Sequence, residues 1–229
     1  MISPILICGV PRSGINVVAA AIAYSGAFGG EMSKQNRDFD EGEFSNNQIR
    51  DKIVKNYFDR NGWDNKGQFP LPKTERVTYS INWEERIKEI LYAEGWKDEP
   101  WMYKDSKSCL IWPVWSHAFP NAKWIIVRRR TGDIVQSCLK TGYMTANEDA
   151  EGWVSWVHQY EQKFVEMIEA GLNCKVVWPE RIIDGDFQQF KEMIEWLGLS
   201  WKQSIIEYIN PLLNGTKNVK KWQGLAQSK

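Results

Sequence analysis

Residues 5–16 constrain the fold more than any other stretch of this sequence. Four consecutive apolar residues, Ile5 to Cys8, predict a strand buried on both faces, as in the centre of a parallel sheet. Residues 9–14 (GVPRSG) predict a tight loop, and the alanine-rich residues 17–24 predict a helix. A strand, a glycine-rich loop and a helix N-terminus in this order can gather backbone N–H groups around a phosphate. The alternative is an ordinary turn between a strand and a helix.

Further strands alternate with helices along the chain. Strands are predicted over residues 100–105, 121–127 and 174–178. Helices are predicted over residues 48–60, 82–92, 109–119, 147–170, 187–197 and 201–209, with another beginning at 134–139 and the last stopped by Pro211. This order predicts an α/β fold, a P-loop-like three-layer sandwich with a central parallel sheet. We expect one domain over residues 1–229, with residues 32–100 a partly helical insertion that binds the acceptor.

Several cationic and aromatic residues end or directly follow predicted strands. They are Arg12, Lys104, Arg129 and Trp178. Ligands of open parallel sheets bind beyond the carboxyl ends of the strands, so we expect these side chains to line one edge of the sheet. The pattern predicts an anion-binding site.

The loop lacks the residues of a metal-dependent kinase. Gly9 and Gly14 have the glycine spacing of the nucleotide-binding motif Gly-x-x-x-x-Gly-Lys-Ser/Thr. Ile15 stands at the lysine position and Asn16 at the position of the magnesium ligand, and neither residue can replace those groups. The positive charge lies inside the loop instead, at Arg12.

The loop resembles the Pro-Arg-Ser-Gly-Thr loop of sulfotransferases that use 3′-phosphoadenosine 5′-phosphosulfate (PAPS). Residues 127–137 (VRRRTGDIVQS) are similar to the second signature of that family, and residues 103–105 (YKD) to its Lys-Asp-Pro element. Residues 178–180 (WPE) stand where the family has Tyr-Glu-Asp. Residues 196–199 (WLGL) and 221–224 (KWQG) resemble two C-terminal elements.

The resemblance implies transfer of a sulfonate from PAPS to a hydroxyl or amine, without a metal, leaving 3′,5′-ADP. It assigns Arg129 and Ser137 to the 3′-phosphate, with Arg128 and Arg130 as competing candidates, and Trp178 to the adenine. Lys220 and Lys221 are expected at the sulfonate, or else in a solvated basic tail. The 5′-phosphosulfate is assigned to the loop and the start of the helix: Pro11, Arg12, Ser13, Gly14, Ile15 and Asn16.

An acceptor needs a base, and the charge that develops on the departing phosphate needs cations. Arg12 and Lys104 suit the second task. Glu31, 19 residues after Arg12, is the expected base because the resemblance places a glutamate there. His117 and His158 are the alternatives, although both fall within predicted helices, where a structural role is commoner.

The loop departs from the family pattern at Ile15, which replaces a threonine. Two other functions therefore stay open: a small-molecule kinase or other P-loop-like nucleotide-binding protein, and a catalytically inactive relative that binds nucleotide. The tryptophans of the insertion, Trp63, Trp83 and Trp96, are expected in the core, with an acceptor-binding surface as the alternative.

Composition limits the partners. Lys plus Arg and Asp plus Glu both number 29, which argues against a general nucleic-acid binder. No apolar run approaches the roughly 18 residues of a membrane span. The scattered cysteines predict buried thiols in a reducing, cytoplasmic compartment, and we expect no signal peptide before a strand that begins near Pro4. The acceptor class (small molecule, glycan or peptide) and the oligomeric state stay open.

Overall fold

A four-stranded parallel sheet forms the centre of the protein, as expected from the sequence. The computed structural model describes residues 3–32, 44–79 and 82–214, with side chains described for all of these except 183–184 and 210–214. The strands are β1 (Ile5–Gly9), β2 (Met102–Lys104), β3 (Lys123–Val127) and β4 (Cys174–Val177), in the spatial order β2-β1-β3-β4. All three strand pairs are parallel.

Helices cover both faces of the sheet. The helices are α1 (Ile15–Tyr24), α2 (Asn56–Arg60), α3 (Trp83–Ala93), α4 (Trp112–Ala118), α5 (Thr131–Leu139), α6 (Ala150–Glu169), α7 (Gln188–Leu197) and α8 (Gln203–Asn214). A π-helical segment, Ile49–Lys55, precedes α2, and 3-10 segments lie at Thr74–Arg76, Ser106–Ile111 and Pro179–Asp184.

Successive side chains of β1 enter two separate hydrophobic clusters. Leu6 and Cys8 belong to a cluster with residues of α2 to α6, whereas Ile5 and Ile7 belong to one with residues of α1, α7 and α8. Because neighbouring side chains on a strand point to opposite faces, this division shows that both faces of the sheet are buried. The arrangement confirms the expected α/β fold with a layer of helices on each side.

Some helix limits differ from the expectations. The helix expected over residues 109–119 begins with the 3-10 segment Ser106–Ile111, because the Asp105 carboxylate accepts the Lys107 N–H and fixes a tight first turn. The long helix starts at Ala150, where Asp149 caps it by accepting from the Gly152 N–H. The expected stop at Pro211 is wrong, since α8 runs to Asn214; its buried Ile205 and Ile209 hold it in the cluster shared with α1.

The described part of the expected insertion shares the core of the sheet. Residues 49–58 and α3 contribute buried side chains to the same cluster as β1 and β3. Trp83 and Trp96 are buried in this cluster and Trp63 packs against it, so the core interpretation of these tryptophans is the correct one.

The topology has its switch point between β1 and β3. From β1 the chain goes first to β2 on one side and then to β3 on the other. Gly9 and Val127, the last residues of β1 and β3, are paired directly. Ligands of doubly wound sheets bind in the crevice at such a point, so the loop after Gly9 and the turn after Val127 lie where a site is expected.

Two other expectations concern thiols and membranes. All four cysteines are free, with Cys8, Cys109 and Cys138 buried and Cys174 half-buried. Across the part of the chain that the structure describes, no helix has both the length and the apolar character needed to cross a membrane.

Candidate functional site

The loop after β1 is tightly built. A Cβ on Gly9 would lie 2.6 Å from the Val127 carbonyl oxygen and 2.8 Å from the Ser13 Oγ, so only glycine fits beside β3. Gly14 precedes α1 in the left-handed region (φ 89°), and the first turn of α1 contains no acidic residue. The first N–H groups of a helix lack intrahelical acceptors and carry the positive end of its dipole, so this end of α1 favours an anion.

Arg12 is held in an unusual conformation by residues beyond β3. Its φ of 74° lies in the left-handed region, which costs a non-glycine residue about 1–3 kcal/mol. The Arg129 Nη1 donates to the Arg12 carbonyl oxygen at 3.0 Å, and the Arg12 Nε donates to the Ser137 Oγ at 2.9 Å. Hydrogen bonds that involve a charged group stabilise by about 1.5–3 kcal/mol each, enough to offset this strain. The two predicted phosphate-binding segments therefore form one unit.

The three consecutive arginines after β3 differ in exposure and in their other contacts, although Arg129 and Arg130 both pair with Glu180, at 4.0 and 3.9 Å. The Arg128 Nη2 donates to the Glu161 Oε1 of α6 at 2.5 Å, and the Arg130 side chain is 77% exposed. Arg129, by contrast, is only 8% exposed and contacts the loop. Burial lowers the pKa of Arg129, but a guanidinium stays protonated in proteins. This placement favours Arg129 among the three as the residue that meets an anion in the crevice.

Lys104, at the carboxyl end of β2, reaches the start of α1. Its Nζ donates to the Asn16 Oδ1 at 2.8 Å, and the residue is only 4% exposed. The Ile15 side chain packs into the cluster of α1, α7 and α8, so only the backbone of this residue can face a ligand. Pro11 and Ser13 are buried within the loop. Lys104 and Arg12 thus bring two cations to the loop from two different strands.

Glu31 is fixed by its backbone and exposed at its side chain. Its N–H donates to the Glu94 Oε2 at 3.0 Å, and its carbonyl accepts from the Asn47 N–H at 3.1 Å. Its neighbour Gly30 has φ 65°, and a Cβ there would lie 1.9 Å from the same Glu94 oxygen. The glycine and Glu94 together set the turn that presents Glu31.

A short chain of contacts connects the Glu31 turn to Lys104. Phe28 forms a parallel bridge with Trp101, the residue before β2. The segment from Phe28 to Glu31 therefore runs in the same direction as β2, towards its carboxyl end. The Ser45 Oγ donates to the Lys104 carbonyl oxygen at 2.6 Å, and Met32 forms a bridge with Asn46. These contacts place Glu31 at the same edge of the sheet as Lys104, where the carboxyl ends of the strands lie.

The remaining predicted residues follow β4, lie on helices α4 and α6, or fall outside the described residues. Trp178 follows β4, and the Arg128 guanidinium lies over its ring, 5.0 Å from the centroid. His117 is exposed on α4 with its ring against Tyr79, and His158 is exposed on α6. Lys220 and Lys221 lie outside the described residues.

Sequence reasoning missed Tyr143, which contacts Arg12, and Gln68, which contacts the backbone around Tyr143. The Arg12 Nη1 donates to the Tyr143 hydroxyl at 3.2 Å, and the Gln68 side chain holds the backbone around Tyr143. Gln68 lies 75 residues from Tyr143, and no local pattern marks either residue.

The arrangement suits an anion with more than one charged group. Arg12, Lys104 and Arg129 converge on the end of β1 from separate strands, beside the N-terminus of α1. Among the described residues, no group of three or more histidine, cysteine or carboxylate side chains is placed to hold a metal ion. The site can hold phosphate or sulfate groups and stabilise charge that develops on them.

Comparisons with known proteins find a relative in sequence and a similarity to solved structures. No protein-family model matches the chain. A Caenorhabditis briggsae protein named "Putative protein-tyrosine sulfotransferase" is 23% identical over 127 residues, which cover 53% of this chain and 45% of that protein. The crystal structure of sulfotransferase STF1 from Mycobacterium tuberculosis H37Rv has a TM-score of 0.47 at 10% identity, covering 97% of this chain and 76% of the other. The sequence relative supports the resemblance to sulfotransferases that the motifs indicate.

Proposed function

We propose that this protein is a sulfotransferase that moves the sulfonate group of PAPS to a hydroxyl or amine acceptor. The observation that carries the proposal is the joining of the two motif segments at the switch point, where Arg129 binds the Arg12 carbonyl and Arg12 binds Ser137. PAPS has two separate phosphate groups, and a site built from two linked cationic turns matches that requirement. The partial match to a protein named as a sulfotransferase adds support.

The proposed reaction is an in-line displacement at sulfur. The acceptor oxygen or nitrogen forms a bond to sulfur while the bond between sulfur and the bridging 5′-phosphate oxygen breaks. The electron pair of that bond leaves with 3′,5′-ADP, and the acceptor proton passes to the Glu31 carboxylate. Most of the rate then comes from alignment of the reactants and from stabilisation of charge on the departing phosphate.

Each proposed role follows from a position in the site. Arg12 and Lys104 flank the N-terminus of α1, where they and the loop N–H groups would stabilise the departing 5′-phosphate. Arg129 and Ser137 would bind the 3′-phosphate. Glu31 projects an exposed carboxylate from a fixed backbone, as a base that meets an incoming acceptor requires.

Several classes of acceptor are candidates for screening. The relative's name makes a peptide tyrosine one candidate, beside glycans and small phenols or amines. The region before β2 supplies Glu31 and packs beside the loop, so we propose that it forms the acceptor side of the site.

Ligand-dependent thermal stabilisation tests the donor. A ligand that binds only the folded state raises the melting temperature according to its concentration and affinity. We expect 3′,5′-ADP to stabilise the protein and ATP with Mg²⁺ to have little effect. A response to ATP with Mg²⁺ alone would contradict the proposal and favour a kinase.

Transfer of labelled sulfate from PAPS to each acceptor in the screen tests catalysis. Binding of 3′,5′-ADP without transfer to any acceptor would indicate an inactive relative, as the hydroxyl lost at Ile15 also allows.

A further inference from the structure

The Arg12 guanidinium makes hydrogen bonds to two residues of one short segment, 137–143. Its Nε donates to the Ser137 Oγ of α5 at 2.9 Å, and its Nη1 donates to the Tyr143 hydroxyl at 3.2 Å, six residues later. The Thr141 Oγ1 donates to the Ser137 carbonyl at 2.7 Å, which ties the stretch back to the end of α5. Ser137 therefore binds the inner nitrogen of the Arg12 guanidinium, and Tyr143 binds one of its outer nitrogens.

Gln68 holds the backbone that follows the Tyr143 side chain. Its Nε2 donates to the Tyr143 carbonyl at 2.8 Å, while its Oε1 accepts from the Thr145 and Ala146 N–H groups at 2.8 and 3.2 Å. The residue is only 3% exposed, so these bonds are shielded from water. These three side-chain bonds all go to this one segment. A buried amide with three such bonds is costly to disturb.

Hydrogen bonds also hold the turn that carries Gln68. The Gln68 N–H donates to the Asp64 Oδ2 at 2.8 Å. The neighbouring Gly67 carbonyl accepts from the Tyr160 hydroxyl at 2.8 Å and from the Trp156 Nε1 at 3.2 Å, both on α6. Helix α6 thus binds the turn that carries Gln68, Gln68 binds the backbone of the Tyr143 segment, and the Tyr143 hydroxyl contacts Arg12.

We propose that Gln68 and Tyr143 are positioning residues for the Arg12 guanidinium. The inference rests on the proposed function for its catalytic meaning, since Arg12 is there the cation at the departing phosphate. A free arginine side chain must lose rotamer entropy when it is fixed, and a cation already in place needs no reorganisation when charge develops. The segment before β2 would then contribute to the donor site as well as to the acceptor side.

A double-mutant cycle tests the coupling. Tyr143→Phe removes the hydroxyl that Arg12 contacts, and Gln68→Glu keeps the two acceptor bonds while setting a carboxylate against the Tyr143 carbonyl. We expect each to lower kcat for sulfate transfer by about tenfold in the wild-type background. Neither should lower it further in the Arg12→Ala background, because no guanidinium remains to be positioned. Equal losses in both backgrounds would overturn the proposal.

Tyr57→Phe is the matched control. It also removes a tyrosine hydroxyl that makes a hydrogen bond, 2.6 Å from the Thr78 carbonyl, but on α2 rather than beside Arg12. We expect it to lower the melting temperature without coupling to Arg12→Ala. Coupling as strong as that of Tyr143→Phe would show that the cycle reports general stability, and would overturn the proposal.

A measurement on the ligand-free protein separates this inference from the proposed function. NMR relaxation of the Arg12 Nε–H group, assigned by its loss in Arg12→Lys, reports how far the side chain is fixed. Tyr143→Phe and Gln68→Glu should both lower its order parameter; an unchanged value would refute positioning. If the wild type neither responds to 3′,5′-ADP nor transfers sulfate, the proposed function fails, while the order parameter still decides whether these residues position Arg12.

Discussion

Replacing Gly9 by alanine should destabilise the protein and disturb the site at the same time. The added Cβ would lie 2.6 Å from the Val127 carbonyl oxygen, closer than such atoms approach without a shift, and 3.1 Å from the Val127 Cβ. The first obstacle is backbone at the end of a central strand, so it cannot rotate away. Overpacking of this kind costs about 1–3 kcal/mol.

Thermal unfolding followed by circular dichroism measures this cost. In a chain of 229 residues, each kcal/mol changes the melting temperature by about 2–4 °C, so Gly9→Ala should lower it by about 2–12 °C. The shift needed at Val127 also moves the turn that carries Arg129, so stabilisation by 3′,5′-ADP should weaken in the same variant.

Gly132→Ala is the matched control in the same part of the site. Gly132 lies in the first turn of α5, and nothing lies within 4 Å of the position its Cβ would take. Alanine is favoured over glycine in a helix by up to about 1 kcal/mol, so this variant should melt at or slightly above the wild-type temperature. A wild-type melting temperature for Gly9→Ala, or an equal fall for both variants, would refute the steric argument.

Other substitutions test the assigned roles. Arg129→Ala should abolish thermal stabilisation by 3′,5′-ADP, whereas Arg130→Ala, on an exposed side chain, should retain it; equal responses would contradict the choice of Arg129. Glu31→Gln should lower sulfate transfer by about 10²–10⁴-fold with little change in PAPS affinity, and unchanged turnover would place the base elsewhere. Lys107→Met removes the 2.9 Å ion pair with Asp105, and in this variant burial should raise the pKa of that carboxyl. Relative to the wild type, its melting temperature should fall further as pH rises from about 4 to about 7, and a difference independent of pH would count against this account.

The direction of the pH effect follows from the surroundings of Asp105. In the wild type, burial raises the pKa of Asp105, but the Lys107 ammonium and N–H, together with the Lys104 ammonium, outweigh it, so that the pKa lies below its usual value. A lowered pKa means that the ionised carboxylate stabilises the fold above its usual pKa, and that this contribution is lost as pH falls. With a raised pKa the sign reverses, and stability is lost as pH rises.

The sheet could be predicted from sequence because its strands are simple. Residues 5–8 and 124–127 are apolar throughout, and both stretches have their side chains divided between two buried clusters. Once parallel strands were expected, the position of Arg12, Lys104 and Arg129 at one edge followed from the geometry of such sheets. The structure places all three at that edge.

The region before β2 could not be predicted to the same degree. Its polar turns have no periodic pattern, and its role depends on contacts between residues far apart in the sequence. Glu94 holds the Glu31 N–H across 63 residues, and Gln68 holds Tyr143 across 75. A single glutamine or glutamate in a loop carries no local sign of such a partner, because the partner is chosen by tertiary packing.

The contacts of Arg12 also change how its neighbours should be interpreted. The resemblance to sulfotransferases assigns Arg12 to one phosphate and Ser137 to another. In the structure, however, the Arg12 Nε donates to the Ser137 Oγ, and Arg129 holds the strained Arg12 backbone. A substitution at Arg129 therefore removes a cation and also releases the Arg12 conformation, so its effect on ligand binding is the sum of two losses. Arg129→Lys keeps the charge but loses the planar fork of the guanidinium. Comparison of the lysine and alanine variants thus separates the charge at the proposed 3′-phosphate site from the support of the loop.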